Sequence, residues 1–155
     1  MQIPAITDLP AEQLTTHQAP ALLVAGLVSI SGQGGRVRLK EHAGLDALQL
    51  IEAGAQALAV LMGARLRAQA ASTSASAGGP AGDAGTTERR AAGLLVGAKG
   101  FAISRSARPG ERVEIEAEAV AELGPLQLYR LRILAADGQE IGAGELKVAA
   151  LGAGA

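Results

Sequence analysis

From Leu45 to Ala70 the chain reads LDALQLIEAGAQALAVLMGARLRAQA, a run rich in helix formers and free of proline. At 3.6 residues per turn it makes about seven helical turns. Only Asp46, Gln49, Glu52 and Gln56 interrupt the apolar character of its first two-thirds. A helix that is apolar on nearly every face has to be enclosed by protein. The last turns, with Arg65, Arg67 and Gln69, are expected to emerge into water, where cations complement the negative end of the helix dipole. The rest of the chain must therefore build a wrapper around one long helix.

At 155 residues there is material for one domain, spanning 1–155, and not for two full ones. Tyr129 and Phe101 are the only aromatic side chains, so Leu, Val, Ile and Ala must fill the core. The wrapper is legible as strands. Val113, Ile115, Ala117 and Ala119 alternate with Glu114, Glu116 and Glu118. Tyr129, Leu131 and Ile133 alternate with Leu128, Arg130 and Arg132, again at the period of two that puts apolar side chains on one face. Gly124-Pro125 joins these two segments, and pairing them antiparallel sets glutamates beside arginines on the solvent face. Asp137-Gly138 marks a second hairpin leading into Ile141–Ala149. Leu94–Ser104, Ala21–Ile30 and Arg36–Lys40 complete the set, the last two separated by the turn-rich SGQGG. The stretch Ala71–Arg90, ASTSASAGGPAGDAGTTERR, holds almost nothing but small and turn-forming residues and reads as a flexible insertion within the domain.

One helix rules out a doubly wound α/β fold, which needs repeated crossover helices. The expectation is an α+β domain in which a single antiparallel sheet of five or six strands curls around the helix. Such a sheet ends in an edge strand, and pairing with a second chain would relieve that exposure, so a dimer is expected.

Composition narrows function chiefly by exclusion. Lys and Arg (14) balance Asp and Glu (15) without a block of like charge, which argues against nucleic acid or an anionic membrane as partner. The near absence of aromatics removes stacking platforms for bases. With no cysteine and two separated histidines, neither a disulfide framework nor a credible transition-metal site is expected, and no cofactor is implied. SGQGG lacks the following Lys-Ser/Thr of a phosphate loop. The opening MQIPAITDLPAEQL has no basic start followed by an apolar run, no segment is expected to span a bilayer, and a cytoplasmic protein is the simplest expectation.

Three stretches resemble a known family. LIEAGAQALAV, with Glu52 and Gln56, is similar to the central-helix motif E-A-M-A-Q of the hot-dog-fold bacterial 3-hydroxyacyl-[acyl carrier protein] dehydratases. LLVGAKGFAISRSARPGERVEIEAEA resembles their strand pair, with a glycine after an apolar strand and a Pro-Gly-acid turn before a charged-apolar alternation. His17-Gln18-Ala19-Pro20-Ala21-Leu22-Leu23-Val24 looks like the H-x-x-P-x-L-L-V that opens the first strand. The short connection before the helix is most similar to the branch serving aryl polyene pigment pathways. The G-H-F-P motif of the housekeeping members is missing. His42 lies ten residues before Glu52 without the usual prolines, and Thr16 stands where the aryl polyene branch has proline before its early histidine.

The resemblance implies a hot-dog fold, an acyl carrier protein bearing an acyl-phosphopantetheine as partner, and a dimer, homomeric or with a related hot-dog subunit. It also implies an enzyme that turns 3-hydroxyacyl thioesters into trans-2-enoyl thioesters. That dehydration needs a base for the proton alpha to the carbonyl, an acid for the departing hydroxyl, and donors for charge on the thioester oxygen. His17 and Glu52 are the candidate catalytic pair, supplied by two protomers across the interface, with His42 the alternative base. A histidine titrates in the useful range, and burial of a carboxyl favours its neutral, proton-donating form. Backbone N–H groups at the start of the helix would meet the thioester oxygen. Gln56, one turn beyond Glu52 on the same face, could steer the carboxyl by hydrogen bonding, and it and Gly97, which with Gly100 marks either close approach of a ligand tail or just a bulge, are the candidate substrate-binding positions. Lys99, Arg105 and Arg108 form either a solvated strand face or an attraction for an acidic carrier. A hot-dog thioesterase and a non-catalytic subunit pairing with an active dehydratase are the competing readings.

Overall fold

The computed structural model describes residues 6–15, 21–76 and 93–150. After two short 3-10 turns (Ile6–Asp8 and Ala11–Gln13), the chain forms β1 (Val24–Ile30), β2 (Gly34–Leu39), α1 (Ala47–Ser76), β3 (Gly93–Ile103), β4 (Val113–Leu123), β5 (Leu126–Ala135) and β6 (Glu140–Ala150). The six strands make one antiparallel sheet in the order β1-β2-β4-β5-β6-β3. α1 lies in its concave face, which is the hot-dog arrangement expected from the sequence.

The helix starts where its chemistry allows. Asp46 Oδ1 accepts from Gln49 N–H at 2.8 Å, while Asp46 N–H donates to Gln49 Oε1 at 3.0 Å. This reciprocal capping box satisfies two groups that a helix start otherwise leaves open. α1 then runs through Ser76, so residues 71–76 of the expected flexible insertion are helical. Alanine's high propensity carries the helix on, and Ser72 Oγ donates back to Ala68 O at 3.0 Å. The remainder of that insertion lies outside the described residues.

The core forms where period-two strands meet the helix. Val37, Ile115, Leu131, Ile133 and Leu146 point inward against Leu50, Leu58 and Leu61, all of them buried. On the outer face Glu116 stands opposite Arg132 and Glu118 opposite Arg130, the cross-strand pairing expected. Arg36 bridges Glu114 and Glu116, and Arg132 bridges Glu116 and Glu140. Pairs this exposed add little individually, and they chiefly fix strand register. α1 is long and apolar enough to cross a bilayer by length and composition alone. More than half of the qualifying window is buried against the chain's own sheet, which is how the core helix of a globular domain looks.

The segment 6–15 was not foreseen as an element. It lies along β1 through an antiparallel bridge between Pro10 and Gly26 and crosses α1 at Gly63. A Cβ at Gly63 would sit 1.8 Å from Leu14 O, so only glycine permits this crossing. Arg67 donates to Gln13 O at 2.7 Å and Lys40 pairs with Glu12, which ties the later part of the segment to α1 and to the end of β2. One edge of the sheet, β1, is thereby covered by the chain itself. The other, β3, is the last strand of the sheet and carries no neighbour on its outer side among the described residues.

Candidate functional site

Glu52 and Gln56 occupy successive turns of α1. Gln56 is 1 % exposed and fully engaged: its Oε1 accepts from Leu23 N–H at 2.6 Å, and its Nε2 donates to Ala21 O at 2.9 Å and to Glu52 Oε1 at 3.2 Å. It therefore joins the entry to β1 to the turn carrying the carboxylate. Both amide hydrogens are held inside the protein, one of them on the carboxyl that Gln56 is expected to steer.

Glu52 departs from expectation in another way. The chain does not bury it. Leu48, Ile51, Ala55, Ala59, Met62 and Leu66 share with it a face that falls within about 100° of the helix circumference, and this face is only partly covered or open, Leu48 being 75 % exposed and Leu66 40 %. Glu52 is the one charged residue on that face. The sheet wraps the opposite side, where Gly54 packs against Leu131 and Leu146 and Leu61 against Gly35. The chain's own sheet thus covers one side of a helix that is apolar on both.

The other candidates fall in different places. His17 lies outside the described residues, although the chain is anchored on both sides of it, at Thr15, which is buried, and at Ala21. His42 sits in the loop before α1, where its Nδ1 accepts from Gly44 N–H at 3.1 Å and its Nε2 meets Glu111 O at 2.9 Å. A backbone N–H can only donate, so Nδ1 is unprotonated and Nε2 carries the hydrogen. Neither nitrogen is left to accept a proton from substrate, and His42 acts as a brace instead of a base. Gly97 lies on the bare edge strand beside a register shift, with no atom within 4 Å of the place a Cβ would occupy. Among the described residues the space beside Gly97 is open, and the register shift is an irregularity of the kind a strand glycine also marks. Of the N–H groups at the helix start, Gln49's goes to Asp46 Oδ1 and Leu50's to Asp46 O, which narrows the donors expected for a thioester oxygen.

The loop 105–111 positions the helix start. Ala107 and Leu45 exchange backbone hydrogen bonds, and Gly110 N–H donates to His42 O. Glu111 holds the loop together by accepting from Arg105 Nη1 (2.9 Å), Arg105 Nη2 (2.7 Å) and Arg108 N–H (2.8 Å). The Arg105 guanidinium, with help from the Arg108 amide, lowers the Glu111 carboxyl to about 2. Arg105 is thus occupied internally, and Lys99 stands opposite Glu145 on β6, so two of the three cations considered for an acidic partner have acids beside them. A depressed folded-state value makes the Glu111 contribution complete above the ordinary value of 4.5 and lost as pH falls toward 2. Arg105→Gln is expected to lower stability most at neutral pH, with the gap to the wild type closing across that acid window. Urea midpoints measured from pH 7 down to pH 2.5 check this, and a gap that stays constant would count against the brace.

Neither a protein-family model nor a curated protein sequence matches the chain. Solved structures do. The chain is similar to the dehydratase heterocomplex ApeI:P from Xenorhabdus doucetiae, with a TM-score of 0.72 and 16 % identity over 93 % of this chain and 92 % of that one. It is similar to the PaaI protein from the phenylacetic acid degradation operon of E. coli, with a TM-score of 0.57 and 13 % identity over 86 % and 83 %. It also resembles a hypothetical thioesterase with coenzyme A from Streptococcus pneumoniae, with a TM-score of 0.55 and 8 % identity over 83 % and 90 %. At these identities the likeness establishes the hot-dog fold, which dehydratases and thioesterases share.

Proposed function

We propose that the chain dehydrates 3-hydroxyacyl thioesters borne by an acyl carrier protein to trans-2-enoyl thioesters, in fatty-acid-like or aryl polyene biosynthesis, as one half of a pair of hot-dog chains. The observation that carries this reading is the position of Glu52, a lone carboxyl on an apolar helix face that its own sheet leaves open. A second chain laid on that face and on the β3 edge would enclose Glu52 among aliphatic side chains. In such surroundings a carboxyl can deliver a proton to a leaving hydroxyl. In this reading His17 of the other protomer removes the proton alpha to the thioester carbonyl. Glu52 protonates the departing hydroxyl, so water leaves, and transfer of a proton from the imidazolium to the carboxylate restores both groups. The likeness to a dehydratase heterocomplex supports pairing, with a second copy or with a related chain.

The test is the product. Purified protein incubated with a 3-hydroxyacyl carrier-protein thioester is expected to convert it to a species lighter by one water, read by intact mass, with activity per chain collapsing on dilution as pairs separate. Release of the free acid would place the chain among thioesterases. Inertness alone, relieved by adding a related hot-dog subunit, would mark it as a non-catalytic partner.

A further inference from the structure

We infer that Phe101 is a specificity-determining residue that walls the acyl group beside Glu52 and restricts the chain to unbranched acyl thioesters. The inference rests on the dehydratase reading for the chemistry of the ligand, and on strand and helix geometry for the place of the ring. β3 departs from regular pairing just before Phe101. Lys99 stands opposite Glu145 and Ala102 opposite Ala143, so Gly100 and Phe101 together face Gly144. Gly100 has φ +63, the left-handed conformation of the first residue in a glycine bulge. The extra residue re-aims the strand. Lys99 and Ala102 keep to the outer face, in rows with Arg130 and Arg132, while Phe101 turns inward.

The ring lies on backbone that carries no side chain. A Cβ at Gly144 would meet Phe101 Cγ, Cδ2 and Cδ1 at 2.5, 2.6 and 2.7 Å, near-equal distances that put the ring broadside on the strand. At Gly142, the next inward position of β6, a Cβ would stand 2.5 Å from Ile103 Cδ1 and 3.2 Å from Ile133 Cδ1. Successive glycines thus leave a trough on the inner face of β6, and side chains of β3 fill it. Phe101 packs on the core but is only half-buried, so part of the ring is left for a ligand.

The helix fixes what that ring faces. Gln56 lies about 40° round α1 from Glu52 and bonds to the entry of β1. Ile51, Ala55 and Met62 lie about 60° to 100° round the other way, toward the opposite margin of the sheet, which is β3. Height along the strands is set by Gly54, which packs against Leu131, the partner of Gly144. The ring therefore stands abreast of the helical turn that carries Glu52, on the side to which the open apolar face extends. An acyl chain whose C3 hydroxyl meets Glu52 runs between that face and Phe101. A straight methylene chain passes a flat ring, whereas a methyl branch beside C3 needs the room the ring occupies. Neither Gly142 nor Gly144 has a side chain to refill that room once the ring is removed.

The test compares 3-hydroxyacyl carrier-protein thioesters of one length, straight or methylated at C4. The protein is expected to favour the straight chain about 30-fold in kcat/KM, and Phe101→Ala to bring the two within about threefold. Phe101→Leu, which keeps an apolar side chain on the trough, is expected to fall between them and carries the test if Phe101→Ala does not fold. Binding of S-alkyl pantetheine thioethers with the same straight and branched chains reads the wall without turnover. If their dissociation constants shift as predicted in a protein that releases free acid or reacts with nothing, the wall stands and the dehydratase reading falls. Equal acceptance of both chains by the wild type, a preference unchanged in both variants, or no binding of either thioether would overturn the inference.

Discussion

Glu52→Gln is expected to lower the rate of thioester dehydration by about 10³-fold while leaving the fold untouched. The carboxyl is exposed in the single chain and makes one side-chain hydrogen bond, to Gln56, which can reorganise around an amide of the same shape. The unfolding free energy from urea titration should therefore stay within about 0.5 kcal/mol of the wild type, as for most surface changes. The chemical step has no such tolerance. An amide of identical size cannot give a proton to a leaving hydroxyl, and general-acid catalysis is worth about 10²- to 10⁴-fold. Single-turnover kinetics on the carrier-protein thioester separate this from weakened binding, since an unchanged KM with a collapsed kcat is the signature of a group acting only in the transition state. A variant that kept wild-type turnover would remove Glu52 from the site, and with it the observation on which the functional reading stands.

The second large effect concerns Gly63, and its sign is the point. In an ordinary exposed helix, replacing glycine by alanine stabilises by about 1 kcal/mol. At Gly63 the added carbon would stand 1.8 Å from Leu14 O and 2.8 Å from Leu14 C, so the backbone of the covering segment must retreat. Overpacking of this kind costs about 1 to 3 kcal/mol, and here it acts on backbone, which has little room to yield. Gly63→Ala is expected to destabilise by about 2 kcal/mol net. It should also open the Leu14 and Thr15 amides, both bonded to Ala11 O, to faster exchange. A variant more stable than the wild type would show that segment 6–15 does not rest on the helix at this point.

The sequence reveals some of this molecule and conceals the rest for physical reasons. The six strands and their hairpin turns are legible because period-two alternation and left-handed glycines are local signals. Gly124 at φ +62 and Gly138 at φ +80 sit in the turns expected of them. The helix is legible from composition, but its end is not, since ASTSAS resembles a loop until alanine propensity and a docked preceding helix are weighed together. Segment 6–15 escaped because its apolar residues, Ile6, Leu9, Ala11 and Leu14, follow neither period, and because the glycine that receives it lies 49 positions beyond Leu14. Gln56 stands out as a polar residue in an apolar run, yet whether it faces substrate or backbone is a long-range fact. Glu52 shows the deepest limit. An apolar helix face reads identically whether its cover comes from the same chain or from another.

The unequal edges of the sheet set a valence. The β1 margin is closed by the bridge between Pro10 and Gly26, while the β3 margin is the one that ends the sheet uncovered among the described residues. A strand edge is a template for further strands, and a domain with two open edges could recruit neighbours without end. Among the described residues the two margins therefore present different things to an incoming strand: at β1 the place beside Gly26 is already taken by Pro10, and at β3 no place is taken.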